Sequence, residues 1–472
     1  MLEKFKNLPQ GVKASVAFFI ASLVTKGIAY ITTPLFTRLL TTTEYGQVSL
    51  YLTWENIFGI LAMFCLMNGV FNNGMVDYPD ERNNYSFSML ILSNIITFIF
   101  GVVMIVVYPH IKKLIKIDPV LIALMFVVFL FQPAYSFWTA KQRYELKYKA
   151  SVFWSILAAI VSPLIGILSI IFFDGDNVHK RLFGSELSLV AIYLGFYIYL
   201  AVKNKFRVDT RFWKPAILFN LPLIPHYLSS LLLSSSDRVM ISYLVNDEAT
   251  AYYSVAYSVA AVASIVWTAI NASLVPFTYE NCKKESYDRI NKITLPIITF
   301  FAVICLVVIM LAPEVILVMA TENYMAAIYV IPPIVGGVFF QVQYYIYANI
   351  VYYYKKPIFV MISSVCATFM NIALNYLFIP KFGYIAAGYT TLACYLLQAV
   401  IDYFAMKHVI NKRIYNMKYI TVLSTIVIIV SIGSVYLYDY WFLRYAVLLL
   451  VVLMAIRNKN TILGLVSEIR KR

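Results

Sequence analysis

The stretch F-I-F-G-V-V-M-I-V-V-Y, Phe98 to Tyr108, is apolar on every side. A surface helix would carry one apolar stripe, and a membrane-spanning strand would alternate strictly over about ten residues; this stretch does neither. Apolar runs of this kind recur along the chain in blocks of about 20 residues, enough for a helix to cross a hydrocarbon core of about 30 Å. Composition agrees, since 61% of the 472 residues are hydrophobic and 13% charged, where a soluble domain carries about a quarter charged residues. The class is therefore an all-α polytopic membrane protein. Disorder, a disulfide scaffold and a coiled coil are excluded, and so, despite a net charge of +15, is a conventional nucleic-acid binder. Cys65, Cys305, Cys366 and Cys394 lie in apolar runs and Cys282 among lysines, which gives neither a disulfide framework nor a metal-ligand spacing.

Working outward, apolar windows bounded by charges and by Pro, Gly or Asn place fourteen spans. They lie near residues 14–36, 47–71, 86–108, 120–139, 150–173, 185–202, 216–244, 251–276, 293–311, 326–353, 358–379, 384–406, 419–438 and 440–456. The seventh contains Pro222 and Pro225 and is expected to be kinked or broken. The short basic start, Met1 to Lys13, followed by an apolar run without a small-residue cleavage site, reads as the lead-in to an uncleaved first span.

Orientation follows from Lys and Arg. With the N-terminus inside, 28 of the 38 fall in cytoplasmic segments and 8 in outer loops, with Lys26 and Arg238 inside spans. Both termini are thus expected in the cytoplasm, and the basic balance is what orients any polytopic protein. Segments between spans are short, and the sequence has no G-x-x-x-x-G-K-[ST], H-E-x-x-H or G-x-S-x-G, so a built-in ATPase or hydrolase is disfavoured.

Ionisable residues inside spans are costly and mark function by default. Ser15, Ser22, Lys26, Tyr30, Thr33 and Thr37 share one helical face of the first span. Glu55 lies about nine residues into the second span, roughly 14 Å deep, where an antiparallel neighbour brings it level with Lys26. That pair is expected either to glue two helices or to open and close with substrate or a coupling proton. In the seventh span Asp237 and Arg238 follow Ser234, Ser235 and Ser236; one of the two faces a neighbouring helix and the other a lumen, unless Arg238 snorkels. Neutral polar stripes mark the later spans: Tyr257, Ser264, Thr268 and Asn271 in the eighth, Gln341, Gln343 and Asn349 in the tenth, Ser364, Thr368, Asn371 and Asn375 in the eleventh. These read as interhelical hydrogen-bond glue or as a hydrophilic lining. A faint duplication joins the halves. Arg38 precedes Thr43, Glu44 and Tyr45, as Arg238 precedes Asp247, Glu248 and Tyr252, and repeated halves are a common transporter plan.

At these residues the chain resembles the polysaccharide-transporter branch of the multidrug/oligosaccharidyl-lipid/polysaccharide exporter superfamily, the flippases for O-antigen and capsule repeat units. The resemblance is carried by T-R-L-L-T-T-T-E-Y-G-Q-V-S-L-Y (Thr37 to Tyr51), N-L-P-L-I-P-H-Y-L-S (Asn220 to Ser229), S-D-R-V-M-I (Ser236 to Ile241) and I-N-A-S-L-V-P (Ile270 to Pro276). It implies two pseudo-symmetric six-helix lobes around a central cavity, residues 1–206 and 207–415, with two additional helices and a tail in 416–472. It also implies a bacterial cytoplasmic-membrane protein that moves undecaprenyl-diphosphate-linked oligosaccharide to the outer leaflet by alternating access, without enzymatic chemistry. Membrane lipids and other polysaccharide-assembly proteins are the further partners, and no cofactor is expected beyond a coupling H+ or Na+. Lys26, Arg38 and Arg238 are the cations placed to hold a diphosphate. Tyr257, Asn271, Asn371 and Asn375 are the polar residues placed to meet sugars, and Glu55 and Asp237 the candidates for ion coupling. A multidrug exporter of the same superfamily would want a carboxylate-dominated cavity. A membrane-embedded polymerase would want a large outer loop.

Overall fold

The computed structural model describes residues 10–67 and 69–457; Met1 to Pro9 of the basic lead-in lie outside the described residues. Their contacts divide the chain into two compact units that change over between Thr250 and Ala251. The first holds α1 (Gln10–Leu39), α2 (Thr42–Ala62), α3 (Val70–Asp77), α4 (Arg82–Ile115), α5 (Pro119–Tyr144), α6 (Tyr148–Phe172), α7 (Asn177–Lys203), α8 (Trp213–Asn220) and α9 (Ile224–Leu244). Helix α10 (Asp247–Lys283) carries the chain into the second unit. There follow α11 (Tyr287–Met310), α12 (Ala312–Met319), α13 (Ile331–Tyr353), α14 (Pro357–Phe382), α15 (Tyr384–Ile410), α16 (Met417–Gly433) and α17 (Trp441–Arg457).

Among the described residues, 12 helical segments are long and apolar enough to span a membrane. The two further spans expected from the sequence correspond to α2, whose Glu44, Gln47, Glu55 and Asn56 dilute its hydropathy, and to the shorter α17. The all-α polytopic class thus holds.

The second span is shorter than expected: its helix ends at Ala62 instead of running to residue 71. Phe64 and Cys65 take positive φ and Gly69 has φ 95°, so the chain turns before the short α3. Freed carbonyls inside a membrane must find donors, and three of those here take one from a side chain. Thr97 Oγ1 donates to Ala62 O at 3.0 Å, Asn220 Nδ2 to Phe64 O at 3.1 Å, and Tyr85 OH to Val70 O at 3.0 Å. Asn220 is fully buried and closes the other irregular segment of this unit. There the 3₁₀ turn Leu221–Leu223 separates α8 from α9, at the expected Pro222. The second break therefore supplies a donor to the first.

Burial organises each unit differently. The first has two apolar clusters, one around Phe36, Leu50, Tyr51, Phe58, Phe129 and Leu182. The other is rich in rings, with Phe71 stacked on Phe137 at 4.4 Å and Trp138 tilted against Phe196 at 4.4 Å. In the second unit α13 is the central post, with 83% of its apolar window buried, and α15 and α14 pack against it. The lobe boundary expected at 206/207 precedes α8 and α9, and α9 packs against α2 in the first unit.

Candidate functional site

The two quoted motifs around Arg38 and Arg238 fold alike. Thr41 caps α2 by accepting from Glu44 N at 3.2 Å while Glu44 accepts from Thr41 N at 2.8 Å, a reciprocal box that fixes the turn after Arg38. Asn246 caps α10 by accepting from Ala249 N at 2.7 Å, after Arg238. Each arginine donates back to the carbonyl four residues earlier, Arg38 Nη1 to Pro34 O at 3.3 Å and Arg238 Nη1 to Ser234 O at 3.2 Å. The turns are also tied to their surroundings, by Asn177 Nδ2 to Glu44 Oε1 at 3.0 Å and by Ser242 Oγ to Asp247 Oδ1 at 2.5 Å.

Beneath these turns the first unit holds a cluster of charges. On α2, Tyr51 and Glu55 are four residues apart and share a face. On α7, Arg181 and Glu186 turn toward them. Glu55 has Glu186 and Arg181 as its electrostatic neighbours, and Arg181 has Tyr45, Glu186, Glu55 and Tyr51. None of the three charges touches another: among the described residues no ion pair within 4.0 Å and no hydrogen bond joins Arg181, Glu55 or Glu186 to the protein. Arg181 is held instead by its flat face, 4.4 Å over the Phe36 ring, a contact worth about 0.5–2 kcal/mol. Its Nε is buried without a partner, and its two terminal nitrogens are left to bind something else. Close approach of α6 and α7 sets this geometry. A Cβ on Gly184 would lie 2.2 Å from Ser169 Oγ and 2.9 Å from Ile165 O, and one on Gly166 would lie 2.3 Å from Ser185 Oγ.

The expected Lys26–Glu55 pair does not form. Lys26 is exposed and bonded to no described residue, because α1 packs along α6 and meets α2 only near their shared turn. Arg181 stands where Lys26 was expected. Asp237 is fully buried and Arg238 half-buried, so the dipeptide points two ways, and Arg238 is an electrostatic neighbour of Tyr45. In the second unit Tyr257 is half-buried with its ring 6.1 Å from that of Tyr253. Asn271 accepts from Asn349 Nδ2 at 2.9 Å. Asn371 and Asn375 are fully buried: Asn371 donates to Thr391 Oγ1 at 3.3 Å, and Asn375 donates to Asn371 at 3.1 Å while Thr390 donates to it. Their side chains lock α14 to α15. The side chain of Ser15 lies outside the described residues.

Comparison with known proteins decides the family. Residues 12–282 match the family described as polysaccharide biosynthesis protein. The chain belongs to this family. It is 21% identical over 374 residues, 76% of this chain and 89% of the relative, to a protein of the Lsg locus of Haemophilus influenzae. Among solved structures it shares the fold of the lipid II flippase MurJ in an inward closed conformation, with a TM-score of 0.66, 14% identity and coverage of 96% of this chain and 100% of that one. A multidrug resistance MATE family transporter in an inward-facing conformation gives 0.62 at 13% identity, with 83% and 94% covered. The matched family region contains the whole charge cluster. Within it, sequence reasoning missed Arg181, which a sixth span started at residue 185 left in an outer loop, and Glu186, which lay at the very edge of that span. The available signal was Asp176, which caps α7 by accepting from His179 N at 2.9 Å and starts the helix eight residues earlier.

Proposed function

We propose that this polysaccharide biosynthesis family member is a flippase for undecaprenyl-diphosphate-linked oligosaccharide repeat units, serving O-antigen or capsule assembly at the bacterial cytoplasmic membrane. It works by alternating access between the lobes 1–206 and 207–415, with both termini in the cytoplasm and no enzymatic step. The observation that supports this reading is Arg181: an unengaged guanidinium in a membrane-spanning helix, pinned by a phenyl ring, with a fork matched to phosphate oxygens. Arg38, Arg238 and Lys26 are the further cations for the diphosphate. Tyr257 and Asn271 are the polar groups for the glycan, and Asn371 and Asn375 act by holding α14 on α15.

Glu55 and Glu186 give the cluster its coupling. Two carboxylates and one guanidinium sum to one negative charge, and one proton neutralises them. When the diphosphate takes Arg181, the carboxylates lose their counter-charge and a proton is bound; release reverses the order. Asp237 is the second coupling candidate. A drug exporter would bind its cationic cargo to the same carboxylates and have no use for Arg181.

Deleting the gene in its native strain should accumulate a lipid-linked oligosaccharide on the cytoplasmic side, restored by the wild-type gene and by Arg181→Lys in part, but not by Arg181→Ala at equal abundance. No accumulation on deletion would sink the reading.

A further inference from the structure

The second unit contains a fully buried carboxyl group apart from the charge cluster. Asp402, on α15, is fully buried, and among the described residues no Lys, Arg or His lies within 4.0 Å of it. Its Oδ2 lies 2.7 Å from Ser363 Oγ on α14, and its Oδ1 is buried with no partner at all. Ser363 is also fully buried, and its Oγ lies 2.9 Å from Val360 O. A hydroxyl has one proton, yet here it faces two acceptors. Thr390 is in a similar position against Asn375, but there the amide itself carries donors. A carboxylate carries none. Both contacts of Ser363 close together only when Asp402 brings a proton: its Oδ2–H donates to Ser363 Oγ, and the serine proton goes to Val360 O.

Burial points the same way. An ionised carboxylate without a cation is among the most costly groups to place in a membrane interior, whereas a carboxylic acid with its hydrogen bond made is tolerated. The surroundings supply no compensating charge. From α13, Tyr344 and Tyr352 face Asp402 as its electrostatic neighbours. From α14 the nearest polar groups are Ser363 and Ser364, the latter accepting from Gln398 Nε2 at 3.0 Å. On α15 itself Lys407 and His408 sit beyond Asp402, exposed at the helix end. Tyr352 lies near the end of α13 and is 37% exposed.

We propose that Asp402 is a proton-binding site of the second unit, separate from the Glu55–Arg181–Glu186 cluster, held as a carboxylic acid when α14 and α15 are packed. Binding is Asp402 carboxylate plus a proton giving the acid, with no other bond made or broken. Parting α14 from α15 would remove Ser363 and open the acid to deprotonation.

The test is infrared spectroscopy of the purified full-length protein in lipid. Wild type should show a carbonyl-stretch band of a protonated carboxyl that Asp402→Asn lacks and Ser363→Ala shifts. Asp402→Asn, which copies the shape of the neutral acid, should melt with the wild type, and Asp402→Ala lower. Superimposable spectra of wild type and Asp402→Asn in that region would overturn the proposal, as would an Asp402→Asn protein that melts as low as Asp402→Ala. None of these readouts needs transport, so a failure of the flippase reading would show in the deletion strain and leave this result standing.

Discussion

Two clusters of buried polar residues, one in each unit, are built in opposite ways. In the first, Glu55, Arg181 and Glu186 lie close enough to feel one another's charge and, among the described residues, make no hydrogen bond to the protein. In the second, Asn371, Asn375, Thr390 and Thr391 are neutral, and their amides and hydroxyls are spent on one another. Saturated groups hold helices together; unsaturated charges keep the capacity to bind a ligand. A functional site in a membrane is therefore better found by asking which polar groups have unused capacity than by asking which are buried.

The sharpest way to break this contrast is to exchange the two kinds of loss. Arg181→Ala leaves two carboxylates facing each other and should cost on the order of 3 kcal/mol, with export lost; Arg181→Ala with Glu55→Gln and Glu186→Gln should recover the melting temperature but not export. Thermal unfolding in detergent, read beside surface polymer in cells, separates the two effects. If the triple variant exports normally, the cluster is structural and the contrast fails.

Gly184→Val should come next. Its side chain meets the Ile165 carbonyl and Ser169, so α7 must move off α6, at about 1–3 kcal/mol. Because that shift carries Arg181 with it, export should fall further than stability alone explains, when compared with an equally destabilised Asn375→Ala. For Asn375→Ala the expected loss is about 0.6–1.7 kcal/mol, the range for hydrogen bonds between membrane helices, and export should track folded protein.

A smaller effect concerns Glu314, which accepts from Arg444 Nη1 at 2.8 Å and from Tyr445 OH at 3.1 Å and so ties α17 to α12. Burial alone would raise its carboxyl, but the Arg444 hydrogen bond overrides this and holds it below the ordinary carboxylate value of 4.5. A depressed carboxyl stabilises above its unfolded value, so the contribution is complete above about pH 4.5 and vanishes as pH falls through the lowered value. With the side chain about a third exposed it should stay below about 1 kcal/mol. Glu314→Gln should flatten the acid limb of a melting-temperature profile.

The smallest effect is expected from a double-mutant cycle on Lys26→Gln and Glu55→Gln, whose coupling should lie within about 0.5 kcal/mol of zero because the side chains do not meet. A larger coupling would restore the pair that the sequence suggests.

Span-length apolar runs and breaks at proline were legible because hydrocarbon thickness and the missing proline N–H act locally. Helix α2 departs from its window at Ala62 because the turn there depends on donors from Thr97, Asn220 and Tyr85, brought in from far along the chain. The depth of Glu55 could be read from helical rise, but its partner could not. Which helix lies beside α2 is a matter of packing, and the small residues Gly166 and Gly184 that seat α7 on α6 look like ordinary apolar filler in the sequence. Arg181 was hidden by a boundary, Asp402 by the absence of any motif around it.

Helix α2 also bears on how the chain is made. Twenty-one residues long and too polar to count among the 12 apolar segments, it gains little by entering lipid alone, since a central carboxylate costs about 2.5–3.5 kcal/mol on insertion scales. Its polar face is sheltered only after α7 and α9, translated more than a hundred residues later, have arrived. Insertion of α2 is therefore expected to be coupled to that of its neighbours, which would tie the assembly of this protein to the same residues that form its charge cluster.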